Sequence, residues 1–124
     1  MKKYITGDLL HYKICNAKYL IEVTNTSKHG YCFKGVKEDF NGVICDEFIE
    51  DIPLTPEILE KNGWKKDKDG YFNDSYHIRL CESSTNYAAY KVVNKSIVWL
   101  RAVENVPDLQ HLLFGLDISL KIEV

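Results

Sequence analysis

The run from Ile52 to Trp64, Ile-Pro-Leu-Thr-Pro-Glu-Ile-Leu-Glu-Lys-Asn-Gly-Trp, constrains the fold of this chain more than any other stretch. Thr55 suits a helix N-cap, Pro56 the first helical position, Glu57 the positive end of the helix dipole, and Gly63 the left-handed residue that ends a helix. Trp64 falls where a Schellman cap packs back onto Leu59. The run predicts one short helix with fixed ends, and it names no substrate, cofactor or reaction.

Strand-type patterning surrounds that helix. Lys18 to Thr24, Tyr31 to Lys37 and Gly42 to Ile49 are apolar or alternating, with Asn16-Ala17, Ser27 to Gly30 and Asn41-Gly42 between them. They predict a curled sheet or small barrel over about residues 3 to 50. After the helix, Asp69-Gly70 signals a hairpin between Trp64 and Tyr71. Tyr76 to Cys81, Tyr87 to Val93 and Ile97 to Arg101 alternate as antiparallel strands. A last helix is expected from about Pro107 to Gly115, capped by Asn105, with Leu109, Leu112, Leu113 and Leu116 as its core stripe. Ile118, Leu120 and Ile122 alternate as a closing strand. The fold class expected is α+β, mostly β, because the regular alternation of βαβ units is absent. The 124 residues and 45% hydrophobic content suit a single compact domain, with two subdomains at 1–50 and 51–124 as the alternative.

A Pro-Leu-Thr-Pro-Glu-Ile-Leu-Glu-Lys-Asn-Gly-aromatic run, then a charged hairpin and a Leu-Gln helix, resembles a family of small uncharacterised proteins from prophages and mobile elements of gut bacteria. The resemblance covers roughly residues 50 to 124. In that family the last helix often opens Val-His-Glu-Leu-Gln, whereas here it reads Val106-Pro107-Asp108-Leu109-Gln110. Pro107 stands where a histidine would, so any chemistry of that histidine is not repeated here.

Charge and motifs exclude several function classes. The net charge is −2, with 16 basic and 18 acidic residues interspersed, so no broad positive field favours nucleic acid or an anionic membrane. The N-terminal residues lack the apolar stretch of a signal peptide, no run is long enough to span a membrane, and a cytoplasmic location is expected. In that compartment Cys15, Cys32, Cys45 and Cys81 are expected to be buried free thiols. With no Cys-x-x-Cys pair, and with His11, His29, His77 and His111 dispersed, neither a metal nor any other cofactor is expected. Phosphate-loop, zinc-protease and nucleophile-elbow motifs are absent. His77 and Cys81 on one strand would lie roughly 13 Å apart, too far for a nucleophile and its base. Ser83, Ser84 and Thr85 suit a turn, and Asp46, Glu47, Glu50 and Asp51 suit a solvated strand edge.

The remaining candidate site is aromatic and cationic. Trp64 and Tyr71 flank the charged hairpin, His77 and Arg79 are expected on one strand face, and Trp99 and Arg101 on another. Such side chains can stack a planar ring and pair with phosphate or carboxylate. The structural reading of these residues outweighs that one, and it expects Trp99 as a core anchor and Arg79 as an exposed strand residue. The expected function is noncatalytic, stoichiometric capture of a host protein or a small nucleotide-like ligand, with counter-defence by a homo-oligomer as its sharper version. The alternatives are a small hydrolase or nuclease using carboxylates with His77 or His111, and a structural protein whose edge strands recruit partners.

Overall fold

A computed structural model describes residues 4–28 and 30–124 and divides the chain into two units, Met1–Ile52 and Pro53–Val124. His29 and the side chains of Ser27 and Asp46 lie outside the described residues. The fold is mostly β, with antiparallel sheets and two α-helices.

In the first unit, β1 (Leu9–Ile14), β2 (Ala17–Ser27), β3 (Gly30–Gly35), β4 (Asn41–Ile44) and β5 (Ile49–Asp51) form one sheet in the order β4-β3-β2-β1-β5. The sheet is open rather than a closed barrel, because β4 and β5 each have one strand neighbour. Alternation puts Leu10, Ile21, Val23, Tyr31, Phe33 and Ile44 into its core. Aromatic edges bind that core together: Phe33 lies 5.5 Å from Tyr12 and 5.6 Å from Phe40, both near-perpendicular, the arrangement favoured by ring quadrupoles. β1 lacks a clear apolar alternation, yet its Leu9 and Leu10 are buried through pairing with β2. The acidic group expected at a solvated edge takes structural partners here. Glu50 bridges Lys13 and Lys18 at 3.0 Å each, and Asp51 accepts from the Tyr4 hydroxyl at 2.7 Å.

The second unit begins with α1 (Pro56–Lys61), whose caps match the sequence reading. The Thr55 side chain accepts from the Ile58 N–H at 3.3 Å. Gly63 has φ +86°, its N–H donates to the Glu60 carbonyl, and the Trp64 N–H donates to the Leu59 carbonyl at 3.0 Å. This double bond pattern is the Schellman cap, and it delivers Trp64 to the core at 2% exposure.

β6 (Lys65–Lys66), β7 (Gly70–Asn73), β8 (Ile78–Glu82), β9 (Tyr87–Val93) and β10 (Ser96–Val103) then form a meander in sequence order. Gly70 at φ +152° permits close packing, since a Cβ there would sit 2.0 Å from the Leu80 carbonyl oxygen. α2 (Val106–Gly115) follows, capped by Asn105, and buries Leu109, Leu112 and Leu113. The helix ends through Asp117 at φ +59° rather than through Gly115.

The expected closing strand does not form: residues 118–124 carry no strand assignment. Side chains from the end of α1 hold their backbone instead: Asn62 accepts from the Glu123 N–H and donates to its carbonyl, both at 2.7 Å, and Lys61 donates to the Val124 carbonyl at 3.3 Å. Ile122, next to Glu123, is buried.

Two outcomes test this packing. Trp64→Ala should lose about 3–5 kcal/mol in urea denaturation. Trp64→Phe should lose less, because the buried indole N–H has no hydrogen-bond partner among the described residues and removing it relieves a desolvation cost. In the first unit, burial and then Lys18 hold the His11 imidazole below its ordinary value of 6.5. The folded state therefore resists protonation, and its stability is retained above that value and lost as pH falls through the lowered folded-state value. Melting curves on acidification should fall more steeply for the wild type than for His11→Gln.

Candidate functional site

The register of the second sheet sorts its side chains into two faces. Tyr71 opposes Leu80, Leu80 opposes Ala89, and Ala89 opposes Arg101. Directly opposed residues share a face, and Tyr71, Leu80 and Ala89 are at most 1% exposed. This row is the core face. The next row must point the other way. It runs Lys65, Phe72, Arg79, Tyr90, Trp99 across all the strands. Trp99 is 60% exposed, and Phe72, Arg79 and Tyr90 are half-buried. With strands about 4.8 Å apart, the row from Phe72 to Trp99 spans about 14 Å.

Arg79 is fixed within this row. Its guanidinium carbon lies 5.7 Å from the Phe72 ring centroid, and Nη1 donates to Asp67 Oδ2. The other Asp67 oxygen accepts from the Asp69 and Gly70 N–H groups at 2.9 and 3.1 Å. The charged hairpin thus folds an aspartate back over the arginine. The Arg79 hydrogen bond, followed by the Asp69 amide, holds the Asp67 carboxyl below its usual range. The same bond raises Arg79 further above its own.

The sequence candidates separate accordingly. Arg79 and Trp99 lie in the solvent-facing row, and Trp99 is exposed where the core was expected. Trp64 and Tyr71 are core residues at 2% and 1% exposure. His77 is exposed, lies before β8 and has φ +57°, so it does not continue the strand face of Arg79. The turn before it consumes the first residues of the expected strand, with Tyr76 N–H donating to the Asn73 carbonyl.

Arg101 does not share the Trp99 face, because a β-bulge lies between them: Trp99 opposes Tyr90 while Arg101 opposes Ala89. The extra residue, Leu100, reverses the alternation. Arg101 turns to the core side and pairs with Asp108 at 3.2 Å, which also accepts from the Glu104 N–H at the start of α2. The residues missed from sequence are Phe72 and Tyr90. Their one signal was opposite parity to Tyr71 and Ala89.

The aliphatic surroundings extend the patch. Ile97 and Val92, on the Trp99 face, are 66% and 36% exposed at the β9–β10 end, while Val98 and Val93, on the opposite face there, are 49% and 45% exposed. A separate cavity of about 250 Å³ is lined by Glu82, Ser83, Asn86 and Glu104 among others. The Ser83 hydroxyl there closes the turn onto Asn86, at 2.9 Å to its carbonyl and 2.6 Å to its side chain. The four cysteines are free thiols, with Cys15 exposed and the others half-buried rather than fully buried. Among the described residues, no group of three or more His, Cys, Asp or Glu is placed to hold a metal. Among the same described residues, no helix is long and apolar enough to cross a membrane.

No protein-family model, curated protein or solved structure matches this chain.

The Asp67–Arg79 contact has a direct readout. In an NMR titration, Arg79→Gln should move the Asp67 carboxyl up toward 3.8, its ordinary value. An unchanged value would assign the depression to the backbone amides alone. The ion pair stabilises the hairpin above the ordinary carboxylate range and is lost as pH falls through the lowered folded-state value.

Proposed function

We propose that this chain is a noncatalytic binding protein that captures a protein partner on the outer face of its second sheet. The observation that carries this reading is the cross-strand row Phe72, Arg79, Tyr90, Trp99 beside exposed Ile97 and Val92. Trp, Tyr and Arg are the residues most enriched at interface hot spots, and aromatic residues with Arg mark the cores of interfaces. A contiguous apolar patch rimmed by polar residues has the same meaning.

A nucleotide-like ligand held between arginines has less support. Arg79 is already neutralised by Asp67, and Arg101 faces the other way against Asp108. Hydrolysis lacks a constellation: Ser83 is tied into its turn, and Glu50 and Asp51 hold structural partners. The resemblance to prophage and mobile-element proteins supports a host protein as the captured partner.

Immobilised chain should retain a defined protein from bacterial extract. Trp99→Ala should weaken that retention at least tenfold, about the cost of removing an interface anchor, without unfolding the chain. Equal retention by the Trp99→Ala and Phe72→Ala variants would remove this face from the function. A bound small molecule in native mass spectra, with no retained protein, would turn the reading to ligand capture.

A further inference from the structure

The edges of the two sheets are not alike. β4 has four residues, β5 has three including Glu50 and Asp51, and β6 is only Lys65-Lys66. Short edge strands and charged residues are how sheets avoid recruiting another strand. β10 departs from this pattern. It has eight residues, Ser-Ile-Val-Trp-Leu-Arg-Ala-Val, with no proline, and its one charge faces the core side. Ser96, Ile97, Val98 and Trp99 are all exposed, so both faces of that half meet solvent. Among the described residues no strand pairs with its outer side.

The direction of the backbone groups follows from one bond. The Val92 N–H donates to the His77 carbonyl at 2.8 Å, so Val92 turns its backbone toward β8. Its cross-strand partner Ile97 is then in a non-hydrogen-bonded pair with β9 and turns its own N–H and C=O outward. Trp99, two residues on, does the same. Two donors and two acceptors therefore lie on an open apolar edge.

We propose that β10 accepts an extended segment of the partner protein as a sixth strand, an apolar segment that carries Asp or Glu. This rests on the reading of the second sheet as a protein-binding surface. Main-chain bonds to Ile97 and Trp99 supply affinity, and alternate side chains of the segment pack beside Trp99 and Ile97 on one face and Val98 on the other. Charge selects the occupant. The β9–β10 hairpin, residues 87–103, holds Lys91, Lys95 and Arg101 and no acidic residue. Arg101 is paired with Asp108, whereas neither lysine is ion-paired among the described residues. A second copy laid along β10 would bring two such cationic hairpins together, and an acidic segment is attracted instead.

The probe is a yeast-displayed library of random linear peptides, screened with the full chain. Enriched peptides should alternate apolar residues and carry Asp or Glu. Ile97→Pro, which removes an outward N–H and leaves the pairing with β9 intact, should weaken them at least tenfold. Ile97→Ala, which keeps the N–H, should weaken them less. If circular dichroism shows Ile97→Pro unfolded, amide exchange decides: bound peptide should slow Ile97 and Trp99 in the wild type. Equal losses in the two variants would overturn strand addition and leave the outer-face reading standing. No enrichment, or no slowing at those amides, would also overturn it. Wild-type self-association in sedimentation that Ile97→Pro abolishes would replace the partner segment by a second copy.

Discussion

Everything proposed for the second unit depends on one parity constraint. Tyr71, Leu80 and Ala89 oppose one another and are sealed into the core. A strand has a side-chain period of two, so slipping one register position would expose all three and bury Arg79. Burying that arginine away from water would cost several kcal/mol unless it remained paired. The hydrophobic row thus fixes the register, and the register in turn sets Phe72, Arg79, Tyr90 and Trp99 on the outside. The exposed row is a consequence of what the core needs.

The same constraint explains why the two arginines diverge. Without the bulge at Leu100, Trp99 and Arg101 would share a face, and both arginines would flank the aromatic row. With it, Arg101 reaches Asp108 at 3.2 Å and ties β10 to the capped start of α2. A charge near a helix N-terminus is anchored there through an aspartate that also satisfies a free N–H, which is the favourable way to place it. The outer face is left with Arg79 alone beside its aromatics, already neutralised by Asp67. Aromatic at its centre, with Lys65 at the far edge of the row and Arg79 neutralised by Asp67, that face suits another protein surface better than a phosphate.

Much of this was legible in the sequence, and the parts that were not share a physical origin. The Thr55 to Trp64 run specified its helix because caps and turns act through local hydrogen bonds and backbone dihedrals, which need no tertiary context. The Asn105 cap was legible for the same reason. Trp99 was misplaced because a tryptophan in an apolar strand ordinarily anchors a core, and no local feature reveals which face the neighbouring strands will bury. The bulge at Leu100 and the left-handed His77 leave no mark in composition, and each reverses or ends an alternation. The closing strand failed because Asn62, more than fifty residues away in sequence, supplies the hydrogen bonds that a strand partner would have given.

Hydroxyl-radical footprinting with residue-level mass spectrometry tests the central claim most directly, because it reads Tyr71 against Phe72 and Trp64 against Trp99 in one experiment on the native chain. The account requires rapid oxidation of Trp99, measurable oxidation of Phe72 and Tyr90, and protection of Trp64 and Tyr71. Protection of Trp99 together with reactive Tyr71 would reverse the faces of the sheet, and with them both the proposed capture surface and the open edge of β10.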